Sequence, residues 1–253
     1  MAGIDLIDAG FAAGLVGGFT TRAGGQSPPP WDALNLALHV EDEPERVLAN
    51  RERLTRRIGS APISFPQQVH GPGALAVDRA TAAEPGITRE GAPGVDALVT
   101  NVPGVPLGVL VADCLPVLLA DRDHGVVAAA HAGRRGLAQG VLQATLATMA
   151  ELGATPATTI AVIGPAICGR CYEVPAELRE QVAAVVPGSA CQTRAGTPGL
   201  DLLAGAERLL RAAGVSQVSL TGHCTAQDGR FYSYRRDGLT GRFAGFVMIE
   251  PDA

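Results

Sequence analysis

The residues best suited to demanding chemistry are scarce in this chain, which holds five histidines and five cysteines among 253 residues. Cys114 stands in Ala112-Asp113-Cys114-Leu115-Pro116, where an apolar stretch ends. Pro116 has no N–H, so regular ladder pairing is interrupted just after the thiol. One turn later comes His131, followed by Ala132-Gly133-Arg134-Arg135-Gly136. Adjacent hairpin ends can bring the thiol and this imidazole within bonding distance. His70, in Gln67-Gln68-Val69-His70-Gly71, is a third candidate, because Gly71 lets the backbone turn sharply there. Two imidazoles and one thiolate suit Zn²⁺ and leave the fourth tetrahedral position open for water or substrate. Two other readings fit the same residues. Cys114 can be a nucleophile with His131 as its base and the amides of residues 133–136 as an oxyanion site. It can equally be a buried structural cysteine beside two hydrogen-bonded histidines.

The other motifs are weaker. Cys168-Gly169-Arg170-Cys171 is a lone C-x-x-C without a thioredoxin-like βαβ context, and Cys191 and Cys224 supply no second pair. These four are therefore read as buried or incidental thiols. An odd cysteine count does not suit a disulfide framework, and a cytoplasmic protein with reduced thiols is expected. All 20 basic residues are arginine. That removes Schiff-base lysine, P-loop lysine and Ser–Lys chemistry. Arg22, Arg235 and Arg236 stand near Gly or aromatic residues and can hold a phosphate, carboxylate or planar base. A formal net charge of −5 disfavours bulk nucleic-acid binding. No apolar run reaches the roughly 18–20 residues of a membrane span.

The elements that must position these residues follow from apolar periodicity and punctuation. Helices are expected over 43–58 with Asp42 as N-cap, over 137–152 ending at Gly153, over 175–186, and over 202–213 with Asp201 as N-cap. Strands are expected over 106–113, 159–164, 216–221 and 243–249, with 117–121 and 125–131 as a hairpin. Residues 80–93 read as a surface loop. Strands that cluster before the later helices favour a single α+β domain over 1–253, with a central β-sheet structure flanked by helices.

The motifs, taken in order, resemble the laccase-domain or multicopper polyphenol oxidase-like family, whose bacterial members are also called peptidoglycan editing factor or purine nucleoside phosphorylase. The matching segments run from Phe19-Thr20-x-Arg22-x-Gly24-Gly25 and Leu34-Asn35-Leu36 through Gln68-Val69-His70-Gly71 and Asp96-Ala97-Leu98-Val99-Thr100. They continue through Ala112-Asp113-Cys114-Leu115-Pro116-Val117 and His131-Ala132-Gly133 to Phe231-Tyr232-Ser233-Tyr234-Arg235-Arg236 and Thr240-Gly241-Arg242. Together they cover nearly the whole chain. The resemblance implies a zinc site at His70, Cys114 and His131. Arg22, Arg235 and Arg236, with Asn35, are the residues expected on the substrate and its phosphate, and Asp113, or an imidazole outside the ligand set, is the expected proton relay. The family usually has Trp where this chain has Arg134. Three activities are attributed to it: phosphorolysis of purine nucleosides with adenosine deamination, removal of L-Ser from the peptidoglycan precursor UDP-MurNAc-L-Ser, and copper oxidation of polyphenols. Five histidines are too few for a multicopper oxidase, and no Met stands in a candidate site to serve as an axial copper ligand. The expectation is a zinc enzyme acting on a small-molecule nucleoside and phosphate. A zinc-stabilised binding protein without turnover is the other class left open.

Overall fold

The most apolar runs form the inner strands, because a strand covered on both faces needs no polar side. The structure, a computed structural model, describes residues 3–82 and 91–251. In chain order the strands are β1 (Leu6–Asp8), β2 (Leu15–Thr20), β3 (Pro66–Gln67), β4 (Ala74–Ala76), β5 (Ala92–Pro93), β6 (Ala97–Thr100) and β7 (Leu107–Val111). They continue with β8 (Leu115–Asp121), β9 (Val126–Ala132), β10 (Thr159–Ile163), β11 (Ala190–Gln192), β12 (Pro198–Leu200), β13 (Gln217–Leu220) and β14 (Phe243–Ile249). The helices are α1 (Pro44–Ile58), α2 (Arg79–Ala82), α3 (Arg134–Gln139), α4 (Val141–Glu151), α5 (Ala176–Val185), α6 (Leu202–Ala212) and α7 (Tyr234–Asp237).

Two sheets carry the α+β fold. One has the order β13-β10-β8-β9-β6-β4; the other, β1-β2-β14-β7, is antiparallel throughout. Alternation along β8 and β9 divides their side chains between two cores. Val117, Leu119, Ala128 and Ala130 pack with Leu142 and Met149 of α4 and Leu210 of α6. Leu118, Val127 and Ala129 pack with Val109 of β7 and Val247 of β14. A third core lies beyond the smaller sheet, where Leu110 and Phe246 meet Leu54 of α1. The layers therefore run helix, sheet, sheet, helix.

The predicted hairpin forms, and β14 has the expected bounds. The helix expected over 137–152 is broken in two. Gly140 takes φ +94°, a left-handed conformation that ends α3 and starts α4. Asp201 caps α6 through its side chain, accepting from the Ala204 amide at 3.1 Å. Asp42 is not the N-cap of α1; Glu43 holds that position without a side-chain cap. The Asp42 carboxylate is buried instead, accepting from Ser27 Oγ at 2.7 Å and Asn35 Nδ2 at 2.9 Å. Of the loop expected over 80–93, residues 83–90 lie outside the described residues, and α2 and β5 occupy its two ends. Among the described residues, no helix is long and apolar enough to cross a membrane.

Candidate metal centre

Antiparallel register fixes the site. In the β8–β9 hairpin Pro116 pairs with His131 and Leu115 with Ala132, so Cys114 leaves its strand beside Gly133. On the other side of β9, Ala97 pairs with Ala130, and the His131 amide donates to the Asp96 carbonyl at 2.8 Å. Asp96, His131 and Cys114 thus stand on three neighbouring strands at one end of the sheet. His131 shares the face of Val127 and Ala129, and Asp96 the face of Leu98, so both side chains enter the layer between the sheets.

Asp96 is the organiser. It is fully buried, and its carboxylate accepts from His131 Nδ1 at 2.7 Å. It also accepts from the amides of Val69 (3.1 Å), His70 (3.0 Å) and Gly71 (2.8 Å). Burial would raise its pKa, but the His131 hydrogen bond and these amides hold it below the usual carboxylate range. An ionised carboxylate only accepts, so Nδ1 of His131 carries a proton and Nε2 faces the site. The three amides pin a turn in which His70 adopts φ +59°, in the left-handed region. Asp113, just before the thiol, takes φ +89°. Such conformations cost on the order of 1–3 kcal/mol each and persist where the surroundings over-determine them.

His70, Cys114 and His131 offer ligand atoms that all lie within 4.8 Å of one another. His70 Nε2 is 3.9 Å from Cys114 Sγ, and the two imidazoles meet edge to face with centroids 4.8 Å apart. Burial alone would push the Cys114 thiol up, but His131 and His70 bring it down to about 6. Burial would lower His131, but the Cys114 sulfur and Asp96 bring it up to about 9. Without a metal the pair is a thiolate facing an imidazolium.

The site opens into a cavity of about 540 Å³, lined among others by His39, Tyr172, Tyr234 and three arginines, Arg134, Arg235 and Arg242. Of the predicted phosphate-binding set only Arg235 reaches the cavity. Arg22 pairs with Asp32 at 3.0 Å and lies over the Tyr232 ring. Arg236 is drawn away by the carbonyls of Thr225 and Phe231 and the carboxylate of Asp237. Asn35 is fully buried and holds Asp42, the Ala37 carbonyl and the Arg242 amide, so it shapes the fold behind the cavity. Asp113 lines the cavity, but its carboxylate is engaged by Thr225 Oγ1 (2.6 Å), Ser233 Oγ (2.7 Å) and the Arg235 amide (2.6 Å). That fixes the 233–236 segment and leaves little capacity for relaying protons. Sequence reasoning gave no role to Asp96, although it opens the apolar run of β6. His39 also went unassigned, and nothing local to it in the sequence signals the cavity.

A family model for multi-copper polyphenol oxidoreductase laccase matches residues 16–250. The chain belongs to this laccase-like family. Its relatives within the family include proteins named purine nucleoside phosphorylase. SCO2081 of Streptomyces coelicolor is 48% identical, the match covering 92% of this chain and 95% of that one. A Deinococcus radiodurans relative is 44% identical, covering 91% and 88%. Among solved structures, YlmD from Geobacillus stearothermophilus superposes with a TM-score of 0.88 at 33% identity, covering 94% and 93%. Neisseria meningitidis protein NMB0706 gives 0.85 at 36% identity, covering 99% and 100%. The family and these relatives support an enzyme, and the structure places a His/Cys/His cluster in it.

Proposed function

We propose that the chain is a zinc enzyme of purine nucleosides, cleaving inosine and adenosine with phosphate and also deaminating adenosine. The observation that carries this reading is the Arg134 guanidinium. It lines the cavity beside the ligand cluster and has no hydrogen-bond or ion-pair partner among the described residues. A half-buried cation left unpaired at a cavity wall suits an anionic ligand. The names of the relatives supply the reaction class.

The residues fit a metal. A Cβ placed on Gly133 would lie 2.9 Å from His70 Cδ2, 3.1 Å from Cys114 Sγ and 3.4 Å from His131 Cε1, so the glycine keeps the cradle between the ligands clear. One thiolate and two imidazoles match a three-ligand catalytic zinc site better than an electron-transfer copper site, which wants an axial Met. Met149 and Met248 are buried in α4 and β14, away from the cavity lining. Zinc bound there would supply Lewis acidity toward a substrate oxygen or a water.

The chain's own residues do the rest. Arg134, Arg235 and Arg242 would hold hydrogen phosphate, one of whose oxygens attacks C1′ of the ribose as the bond to the purine nitrogen breaks, and the proton that the phosphate gives up goes to the departing base. Tyr172 and Tyr234 line the cavity and supply aromatic surface for the purine. Burial, together with Arg242 and Arg51, lowers the pKa of His39, so its imidazole is neutral at pH 7 and can accept a proton in deamination. It takes the relay role expected of Asp113 or of an imidazole outside the ligand set.

The test incubates zinc-loaded protein with inosine with and without phosphate, with adenosine, and with UDP-MurNAc-L-Ser, and identifies products by mass. Hypoxanthine should appear only with phosphate, and ammonia from adenosine without it. Arg134→Ala should raise the KM for phosphate roughly 10–100-fold, the worth of a charged hydrogen bond. Reaction of the L-Ser precursor alone would replace this reading with an amidase, and no turnover of any substrate would leave a binding protein.

A further inference from the structure

The lone C-x-x-C acquires a third sulfur in the fold. The chain after β10 pairs in parallel with the segment before α7 through an Ala166–Cys224 bridge, and the Thr225 amide donates to the Ala166 carbonyl at 3.1 Å. This pairing sets Cys224 beside Cys168 and Cys171, and the three sulfurs lie within 4.8 Å of one another. Tetrahedral zinc with Zn–S near 2.3 Å places its sulfurs about 3.8 Å apart. A small closure of this cluster reaches that spacing.

Hydrogen-bond donors reach the sulfurs of all three cysteines. The Cys171 amide closes a turn on the Cys168 carbonyl at 2.9 Å, so both sulfurs of the C-x-x-C issue from one knuckle. The Cys168 amide donates to Cys224 Sγ at 3.4 Å. Gln227 Nε2 donates to Cys171 Sγ at 2.8 Å, while its Oε1 accepts from Arg194 at 3.0 Å. Donors aimed at sulfur, with a guanidinium behind them, offset the charge that three thiolates and one divalent cation leave.

We propose that Cys168, Cys171 and Cys224 form a second metal site that binds Zn²⁺ through three thiolates, with solvent in the fourth position. Its role is to join two loops that build one wall of the cavity. One leads directly into Tyr172, whose ring lies under Arg235, and the other leads to Arg235 itself, which donates to the Glu173 carbonyl at 3.1 Å. Zinc here holds the wall and takes no part in the reaction.

The test uses the full-length Cys114→Ala chain, in which the first site has lost a ligand, so the outcome does not depend on the reading of that site. Reduced, metal-free protein is titrated with Zn²⁺, alkylated with iodoacetamide and mapped by mass. Cys168, Cys171 and Cys224 should become protected together, each at least about tenfold, as one equivalent binds. Co²⁺ in place of Zn²⁺ should give a thiolate-to-metal charge-transfer absorption that Cys224→Ser abolishes. Unchanged alkylation of the three cysteines in the presence of Zn²⁺ would overturn the proposal. So would a Cys168–Cys171 disulfide persisting in protein kept under reductant.

Discussion

Two residues at the primary centre behave unlike their free side chains, and each has a cause on a neighbouring strand. Cys114 is brought down to about 6, since the imidazoles of His131 and His70 outweigh the effect of burial. In metal-free protein the thiolate absorbance near 240 nm, taken as the difference between wild type and Cys114→Ser, should therefore titrate near pH 6. A midpoint at the ordinary thiol value near 8.5 would mean that the ion pair does not form. His131 is brought up to about 9 and must lose its proton to bind a metal. Zinc affinity should therefore rise with pH up to about 9 and then level off, as isothermal titration can show. Asp96 holds both His131 and the His70 turn. Asp96→Asn should reduce zinc affinity by about 10–100-fold, the usual loss when a group orienting a ligand is changed. Circular dichroism should show the fold retained.

At the level of elements, the site depends on where strands stop. Pro116 pairs with His131 but lacks an N–H, so the hairpin ends one residue beyond this pair and the chain splays into Cys114 on one side and Gly133 on the other. Gly133 is the N-cap of α3, with φ −73° and ψ 165°, a conformation open to alanine. Gly133→Ala should therefore leave the fold unstrained while its methyl group invades the ligand cradle. The expected result is loss of bound metal with a melting temperature within a few degrees of the metal-free wild type. Equal zinc content in both proteins would show that the cradle lies elsewhere.

Across the whole molecule, the central strands β8 and β9 of the larger sheet are buried along their whole length, so the hairpin that carries the site is packed from both faces. Leu119 is fully buried among residues of α4 and α6 on the helical face. Leu119→Ala should cost about 2–5 kcal/mol, the range for a buried leucine truncated in a well-packed core. Chemical denaturation would measure it, and a loss below 1 kcal/mol would mean that the layer closes around the gap.

Local features written in consecutive residues were legible from the chain alone. The hairpin, β14 and the Asp201 cap follow from apolar alternation and punctuation, and Cys114, His131 and His70 stand out by residue type beside a Pro or a Gly. The break at Gly140 was not legible, because the apolar face runs on through it and only the backbone conformation stops the helix. What tertiary structure decided was the partnerships beyond that hairpin. Asp96 meets His131 through sheet register, and Cys224 meets Cys168 through a bridge between segments far apart in sequence. The arginines divided in the same way. Arg22 and Arg236 look as available as Arg235 in the sequence, yet the fold supplies them with carboxylates and carbonyls and leaves Arg134 without a partner among the described residues. Charge and residue type are local properties; whether a charge is already neutralised depends on which distant groups the packing brings within about 3 Å.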